Sequence, residues 1–402
     1  MRRLVRGLLP GPIRRTYHRY ALRRDFGIEL STGRRRPSRL DPALPRGMNL
    51  VGWFDSPTGI GQSLRSLARA AEAAGVPVAR IEAGLLESAG PSAAPYASNL
   101  FHVNADGAAS VVELCGPDIH RGRANVGYWY WETEEFPSEW RDRFAYFDEI
   151  WVASEFCRVA IGKDAEIPVA VVPPPVILDG PFIPVEAAPA GTPFRFLHVC
   201  DAESVPERKN PMGAVRAFAH AFPSDRSVSL TIKIANADKA PGLVEALRKA
   251  AGGAQVEVDA SPAGRDDIER LLAGCDAYVS LHRSEGFGLV TAEAMALGKP
   301  VVATDYSGPR DFLDEATGYP VRWSPAVLGR ALGPYPAGTR WAEPDEEHAA
   351  AAFRDVVSNR AESARRGDAA RRRMRTIFGL EAAGRRIAER LDGLLARLGA
   401  RP

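Results

Sequence analysis

The stretch "SEGFGLVTAEAMALGKPVVATDYSG", Ser284 to Gly308, packs a turn, a helix and a strand into one run. Just before it, "AYVSL" (277–281) is a short apolar strand, and "HRSEGFG" is the loop that leaves it. "LVTAEAMAL", closed by Gly298 and Lys299-Pro300, reads as a helix, and "VVAT" as the next strand. Such a unit turns the free amides at the helix start towards whatever lies above the sheet, a site that favours an anion, typically phosphate. Gly286 and Gly288 let the backbone come close to a ligand. Two carboxylates, Glu285 and Glu293, stand on the same unit, where a phosphate would repel them. Hydroxyl groups are their natural partners. Glu293, about one turn into the helix, leans back towards the loop and reaches a diol, while Glu285 reaches a different set of hydroxyls. A diphosphate with a ribose on one side and a sugar on the other satisfies both, and that is a nucleotide sugar; the alternative, which a lone pair of glutamates favours, is that Glu285 is a plain loop residue and Glu293 a solvated helix position.

Similar units recur along the chain. From Met48, "MNLVGWF" is a strand, "DSPTGIG" a turn, and "QSLRSLARAAEAA" a helix ending at Gly75. "VPVARIE", "VGYWYW", "EIWVAS" and "VAVVPPP" supply further short apolar runs, consistent with a mostly parallel sheet. The proline- and alanine-rich segment Pro173 to Pro193 breaks the pattern, and after it the alternation restarts with "FRFLHVC", "SVSLTIKIA" and "AQVEVDA". With one domain per roughly 100–200 residues, a chain of 402 residues accommodates two such α/β domains with a crevice between them. In the tail, Ile387, Leu391, Leu394, Leu395 and Leu398 form an apolar stripe that packs on a domain.

The net charge of +2 is unevenly spread. Residues 1–46 hold thirteen arginines against Asp25, Glu29 and Asp41, so residues 47–402 carry −8. The apolar run in this leader is broken by Pro10 and Pro12 and is too short to span a bilayer. Two readings stand: a solvated arm, or an arm lying on an anionic membrane surface. Nucleic-acid binding is disfavoured, because the rest of the chain is acidic and shows no recognition module. Cys115, Cys157, Cys200 and Cys275 form no CxxC pair, which argues against a zinc site or a disulfide framework and points to a cytoplasmic setting. No carboxylate pair is set out for a metal ion.

"EGFGLVTAEAMALGKPVVAT" resembles, almost position for position, the E-x7-E region of the retaining glycosyltransferases of the GT-B fold, the group that includes bacterial mannosyltransferases of lipid and polysaccharide synthesis. "DDIERLLAGCDAYVSLHRS" resembles what precedes that region. The resemblance runs from about residue 48 to 395 and implies two Rossmann-like doubly wound α/β domains facing a central cleft. The expected division is a basic leader over 1–46, an acceptor-side domain over 47–180, a linker over 181–193, a donor-side domain over 194–375 and a C-terminal helix over 376–402. By resemblance Glu285 contacts the donor sugar, Glu293 binds the ribose, and the amides of Gly286, Phe287, Gly288 and Leu289 receive the diphosphate or sugar. "ERKNPMGAVRAFAHAF" resembles the family's lysine segment and carries a donor-phosphate role onto Lys209, with Arg208 beside it. A diphosphate leaving group needs such cations. "PTGIG" resembles the loop covering the diphosphate from the other domain, through Gly59 and Gly61. The third glycine of a dinucleotide motif is replaced by Leu64, which removes a nicotinamide reading.

Two departures stand out. The arginine that relatives often carry after the strand falls here in "CDAESVP", leaving Arg208 to take its part. The histidine that many carry in the first domain falls in "NVGYWYWETEEFPSEW", where Trp131-Glu132 stands instead. Glu132 either orients or deprotonates an acceptor hydroxyl, or binds the donor sugar, with Trp129 and Trp131 stacking on a ring; otherwise the tryptophans are core and Glu132 caps a helix. His102 and His282 are further candidates, each more often structural. The implied activity is transfer of a hexose, for instance mannose, from a nucleoside diphosphate sugar to a sugar or lipid-linked acceptor with retention, without cofactor or metal. The implied setting is cell-surface polysaccharide, lipopolysaccharide or glycolipid synthesis on the inner face of the membrane. The alternatives are a nucleotide-sugar epimerase on the same fold and a non-catalytic nucleotide-sugar-binding or scaffold protein.

Overall fold

The computed structural model describes residues 20–29, 34–35, 38–56, 58–85, 91–178 and 192–399. Two six-stranded sheets, each parallel throughout, face one another. The first holds β1 (Met48–Gly52), β2 (Val78–Glu82), β3 (Ser98–Phe101), β4 (Ala124–Trp129), β5 (Glu149–Val152) and β6 (Val169–Val171) in the order β2-β1-β3-β4-β5-β6. The second holds β7 (Phe194–Asp201), β8 (Val228–Ala235), β9 (Val256–Asp259), β10 (Ala277–Ser280), β11 (Val301–Thr304) and β12 (Tyr319–Val321) in the order β9-β8-β7-β10-β11-β12. Both are doubly wound sheets of the Rossmann kind. Their central strands are buried along their length, as parallel strands covered on both faces must be.

The register of the first sheet is fixed by a buried amide ladder. Asn49, Asn99 and Asn125 lie opposite one another on β1, β3 and β4. Asn49 donates to Asn99 Oδ1 (2.9 Å), and Asn99 donates to Asn125 Oδ1 (2.8 Å). A slip by one residue would leave these amides unpaired in the core. The ladder therefore sets which residues reach the C-terminal ends of the strands, where the loops begin.

Helices pack on both sheets. α1 (Gly59–Ala73) buries Leu64, Leu67, Ala68 and Ala71 and is capped by Thr58, whose hydroxyl accepts from Gly61 N. α2 (Ala105–Cys115) and α3 (Glu155–Gly162) follow β3 and β5. In the second domain α4 (Pro206–Lys209), α5 (Pro211–Ala221), α6 (Leu243–Ala251), α7 (Arg265–Gly274) and α8 (Leu289–Ala296) alternate with strands. α9 (Glu346–Ser358) and α10 (Arg360–Phe378) follow, and α11 (Leu380–Gly399) returns to the first domain. Ile387, Leu391, Leu394 and Leu398 are buried there, and Gly384 lets α11 approach α1 so closely that a Cβ would lie 2.5 Å from Ala70 O. Glu149, fully buried on β5, receives Arg390 and also Arg397 at 2.7 Å, which locks α11 to that sheet.

The expected division of the chain needs two corrections and one addition. The leader does not end as a free arm at residue 46: Leu22 and Ile28 are buried in the first domain's core, and Ser38 hydrogen-bonds Asp148 at 2.9 Å. Apolar side chains spaced among the arginines find a core, which a charge count alone does not show. Residues 1–19 of the leader, and residues 181–191 of the linker, lie outside the described residues. The final helix begins at Leu380 rather than at 376, after a break at Gly379. An antiparallel hairpin, β13 (Trp323–Val327) and β14 (Arg340–Pro344), interrupts the α/β alternation and had no counterpart in the sequence reading.

Candidate active site

In each sheet the strand order reverses at one point, between β7 and β10 and between β1 and β3. Ligands of doubly wound sheets bind outside the carboxyl ends of strands at such a point. Here the loops from both reversals meet across a cleft of about 460 Å³.

After β7 the chain enters α4 through Val205 (φ 58°) and leaves it through Asn210 (φ 54°), both in the left-handed region. A β-branched residue in that conformation is strained and must be held by its surroundings. Asn210 is held well: its Nδ2 donates to Leu281 O (2.9 Å) and its Oδ1 caps α5 at Gly213 N (3.0 Å). Between these two residues Arg208 and Lys209 point at Glu285. Lys209 Nζ contacts Glu285 Oε1, and Arg208 Nη1 lies 3.1 Å from Oε2. Arg208 also donates to Ser284 O at 2.8 Å, while its Nε is buried with no hydrogen-bond partner among the described residues. Burial pushes the Glu285 carboxyl up, yet Lys209 and then Arg208 outweigh it and hold its pKa at about 2. Burial also works against the charge on Arg208, but Glu285, followed by Tyr335 and Glu132, raises its pKa instead. The three side chains form an ionised, water-poor cluster.

The backbone of Glu285 is gripped from behind. Its N–H donates to Ser307 Oγ (2.8 Å), and its carbonyl accepts from Gly308 N (2.9 Å). The turn that follows is tied to the first domain, since Gly286 O accepts from Ser154 Oγ (2.5 Å) and Cys157 Sγ (3.2 Å). Gly288, at φ 86°, turns the chain into α8. Gly286, Phe287, Gly288 and Leu289 all line the cleft, but the Phe287 ring points away, 5.4 Å from Phe312 and 5.8 Å from Phe378. Gly59 lines the cleft opposite, next to Leu289. Gly61 does not face it; a Cβ there would lie 2.3 Å from Ser56 O, so its smallness serves the closure of the loop before α1.

Glu293 is the second departure from expectation. It sits beneath the cleft, 1% exposed, rather than on its wall. Oε1 lies 2.7 Å from Arg265 Nη2, and Oε2 is buried with no hydrogen-bond partner among the described residues. Burial raises its pKa, with Arg265 opposing. Arg265 and Thr291 do line the cleft.

In the first domain Glu132 lies on the loop after β4 and lines the cleft. Its Oε2 accepts from Tyr335 OH (2.9 Å), and its carbonyl accepts from Ser284 Oγ. Neither tryptophan lines the cleft. Trp129 is fully buried against Phe136, and Trp131, 3% exposed, donates from Nε1 to Glu135 O (2.7 Å). Both rings belong to the buried core: Trp129 ends the inner strand β4, and Trp131, on the loop after it, packs against Phe136 and Trp140. His102 is buried, with Nε2 2.9 Å from Ser63 Oγ, and burial lowers its pKa to about 3. Ser63 Oγ in turn lies 2.6 Å from the hydroxyl of Tyr130, which lines the cleft. His282 is buried against Tyr306 O (3.0 Å).

Residues 153–387, more than half of the chain, match the model of "Family 4 Glycosyltransferase in conflict systems". The chain belongs to this glycosyltransferase family. A D-inositol 3-phosphate glycosyltransferase of Arthrobacter sp. (strain FB24) is 31% identical over 140 residues, which span 34% of this chain and 33% of that relative. Among solved structures, HepE of Anabaena in complex with UDP and glucose superposes with a TM-score of 0.62 at 14% identity, covering 87% of this chain and 100% of that one. Sucrose-phosphate synthase of Thermosynechococcus elongatus gives a TM-score of 0.63 at 16% identity, covering 88% and 100%. At these identities the likeness is one of fold, and the fold is GT-B.

Sequence reasoning missed the cleft residues Asn104, Tyr130 and Arg265, and it missed Tyr335, which is buried and reaches the cleft only through Glu132. Asn104 carried a signal, since it follows a strand at the switch point, and its Oδ1 accepts from Tyr130 N at 2.9 Å. Tyr335 carried none, for it stands in the turn-rich stretch "GRALGPYPAGT" (329–339) of the unforeseen hairpin. No helix among the described residues is long and apolar enough to cross a membrane.

Proposed function

We propose that this glycosyltransferase moves a hexose from a nucleoside diphosphate sugar to a hydroxyl acceptor, with retention at the anomeric carbon. The observation that carries the reading is the convergence of Arg208 and Lys209 on Glu285 beside the glycine turn at the start of α8. A diphosphate entering the cleft would take over both cations and meet the helix amides. Glu285 then exchanges cationic partners for sugar hydroxyls, which its ionised carboxylate accepts from. As the bond from the anomeric carbon to the phosphate oxygen breaks, negative charge grows on the diphosphate, where the cations are already placed. The acceptor oxygen arrives on the same face, and its proton passes to the leaving phosphate. No covalent nucleophile is assigned. Glu132, across the cleft, is placed to orient the acceptor or a donor hydroxyl. For Glu293 the ribose role rests on Oε2, which is buried and has no hydrogen-bond partner among the described residues, with Arg265 holding the other oxygen.

UDP and glucose in HepE support a nucleoside diphosphate sugar of this kind. The arginine-rich leader supports a lipid-linked acceptor at an anionic membrane, and conflict systems, named for the family, are a second setting. The test is a titration of full-length protein with UDP, GDP, ADP and dTDP, followed by thermal shift. One nucleotide is expected to stabilise the protein, and Lys209→Met to bind it about tenfold more weakly. No stabilisation by any of the four in folded protein would overturn the proposal.

A further inference from the structure

Glu132 belongs to the first domain, yet both of its polar ends are held by the second. Its carbonyl accepts from Ser284 Oγ, next to Glu285, and its carboxylate accepts from the Tyr335 hydroxyl at 2.9 Å. The element that brings Tyr335 there is rigid. The turn is closed by two backbone bonds, Leu332 N to Tyr335 O (2.8 Å) and Tyr335 N to Leu332 O (3.0 Å). Gly333, at φ 54°, takes the left-handed position in it, and a Cβ there would lie 2.9 Å from Val205. At the base of the hairpin Arg283 forms a two-pronged pair with Glu343 (2.7 Å for each) and donates to Glu207 O (2.7 Å). The hairpin is thus fastened to the residues on either side of the Arg208–Glu285 cluster.

Its tip is embedded in the other domain. Leu328, Tyr335 and Trp341 are buried within the apolar cluster of Trp129, Trp131 and Phe136, and the Tyr335 ring centroid lies 5.5 Å from that of Trp131. The phenol is therefore clamped by packing, and among the described residues its hydroxyl has one hydrogen-bond partner, the Glu132 carboxylate.

We propose that Tyr335 is a positioning residue: carried by the donor-side hairpin, its hydroxyl fixes the Glu132 carboxylate in the cleft, opposite Glu285, when the two domains are together. The proposal rests on the hexosyl-transfer reading above. It makes a hairpin outside the Arg208, Lys209 and Glu285 cluster a determinant of turnover, and it assigns the hairpin's work to one hydrogen bond.

The test compares full-length wild type with Tyr335→Phe, Glu132→Gln and the double variant, using the donor selected by the nucleotide titration. Tyr335→Phe keeps the ring and its packing, and the melting temperature of each variant reports folding. The expected result is a fall in kcat of about tenfold for Tyr335→Phe, as befits loss of a hydrogen bond to a charged group. Nucleoside diphosphate affinity stays within about twofold, and the double variant is no slower than Glu132→Gln alone. A wild-type kcat for Tyr335→Phe, or effects that multiply in the double variant, would overturn the proposal. A wild type that binds none of the nucleoside diphosphates overturns the donor reading and this one together. A wild type that turns over donor no faster than Tyr335→Phe overturns this one alone.

Discussion

Replacing Glu285 by glutamine tests the charge cluster most sharply. The substitution keeps the shape of the side chain and removes the one negative charge between Arg208 and Lys209, whose side chains are 5% and 21% exposed. The fall of the carboxyl from an ordinary 4.5 to about 2 corresponds to stabilisation on the order of 3 kcal/mol. Removing one partner of a buried pair costs about 3–5 kcal/mol, which agrees. At about 2–4 °C per kcal/mol for a domain of this size, Glu285→Gln should melt roughly 6–12 °C below wild type at neutral pH. The sign of its pH dependence follows from the depressed pKa. The contribution of Glu285 is complete above about 4.5 and is lost as pH falls towards 2, so the gap between the two proteins closes on acidification. Nucleoside diphosphate closes it as well, because phosphate supplies the missing negative charge. Differential scanning fluorimetry at neutral and acid pH, with and without nucleotide, reads all three effects. A gap below about 2 °C at neutral pH, or one that neither acid nor nucleotide narrows, would refute the reasoning.

Arg265→Ala leaves Glu293 buried without its cation and should cost about 3–5 kcal/mol by chemical denaturation. With the carboxyl pKa raised further, its stability relative to wild type should fall as pH rises from 5 to 8; a variant insensitive to pH would contradict this pairing. Gly308→Ala places a methyl group 2.5 Å from Gly286 O and 2.7 Å from the Phe287 Cα, so the glycine turn must shift; calorimetry should show nucleotide affinity reduced about tenfold, and wild-type affinity would mean the turn does not bind phosphate. Glu149→Gln strips Arg390 and Arg397 of their buried partner and should expose α11 to limited proteolysis, whereas unchanged resistance would show that its apolar face alone holds it.

The fold was legible because its signals are local. Apolar runs of strand length, turn residues and helix stops repeat along both halves, and each unit can be read without knowing its neighbours. The glycine turn and the Arg208-Lys209 segment were legible for the same reason, each lying in the connection that follows its own strand. What escaped reading depends on contacts between distant segments. Glu293 was expected on the cleft wall because helical position fixes direction, but Arg265, 28 residues earlier, draws the carboxylate into the interior. Trp129 and Trp131 sit beside a candidate carboxylate in sequence, and only the packing of distant aromatic side chains around them shows that both are core. Leu22 and Ile28 were hidden by the arginines around them. Tyr335 meets Glu132 across 203 positions, a pairing that no periodicity announces.

The central claim, that the cleft transfers hexose from a nucleoside diphosphate sugar with retention, is met most directly by watching the sugar leave. Purified full-length protein is incubated with the donor that its nucleotide preference selects, and proton NMR follows the first-formed anomer while water stands in as the acceptor. Release of a hexose with the donor's own anomeric configuration, abolished in Lys209→Met, is the predicted result. Consumption with inversion, or no consumption of any donor by protein that binds the nucleotide, would contradict it.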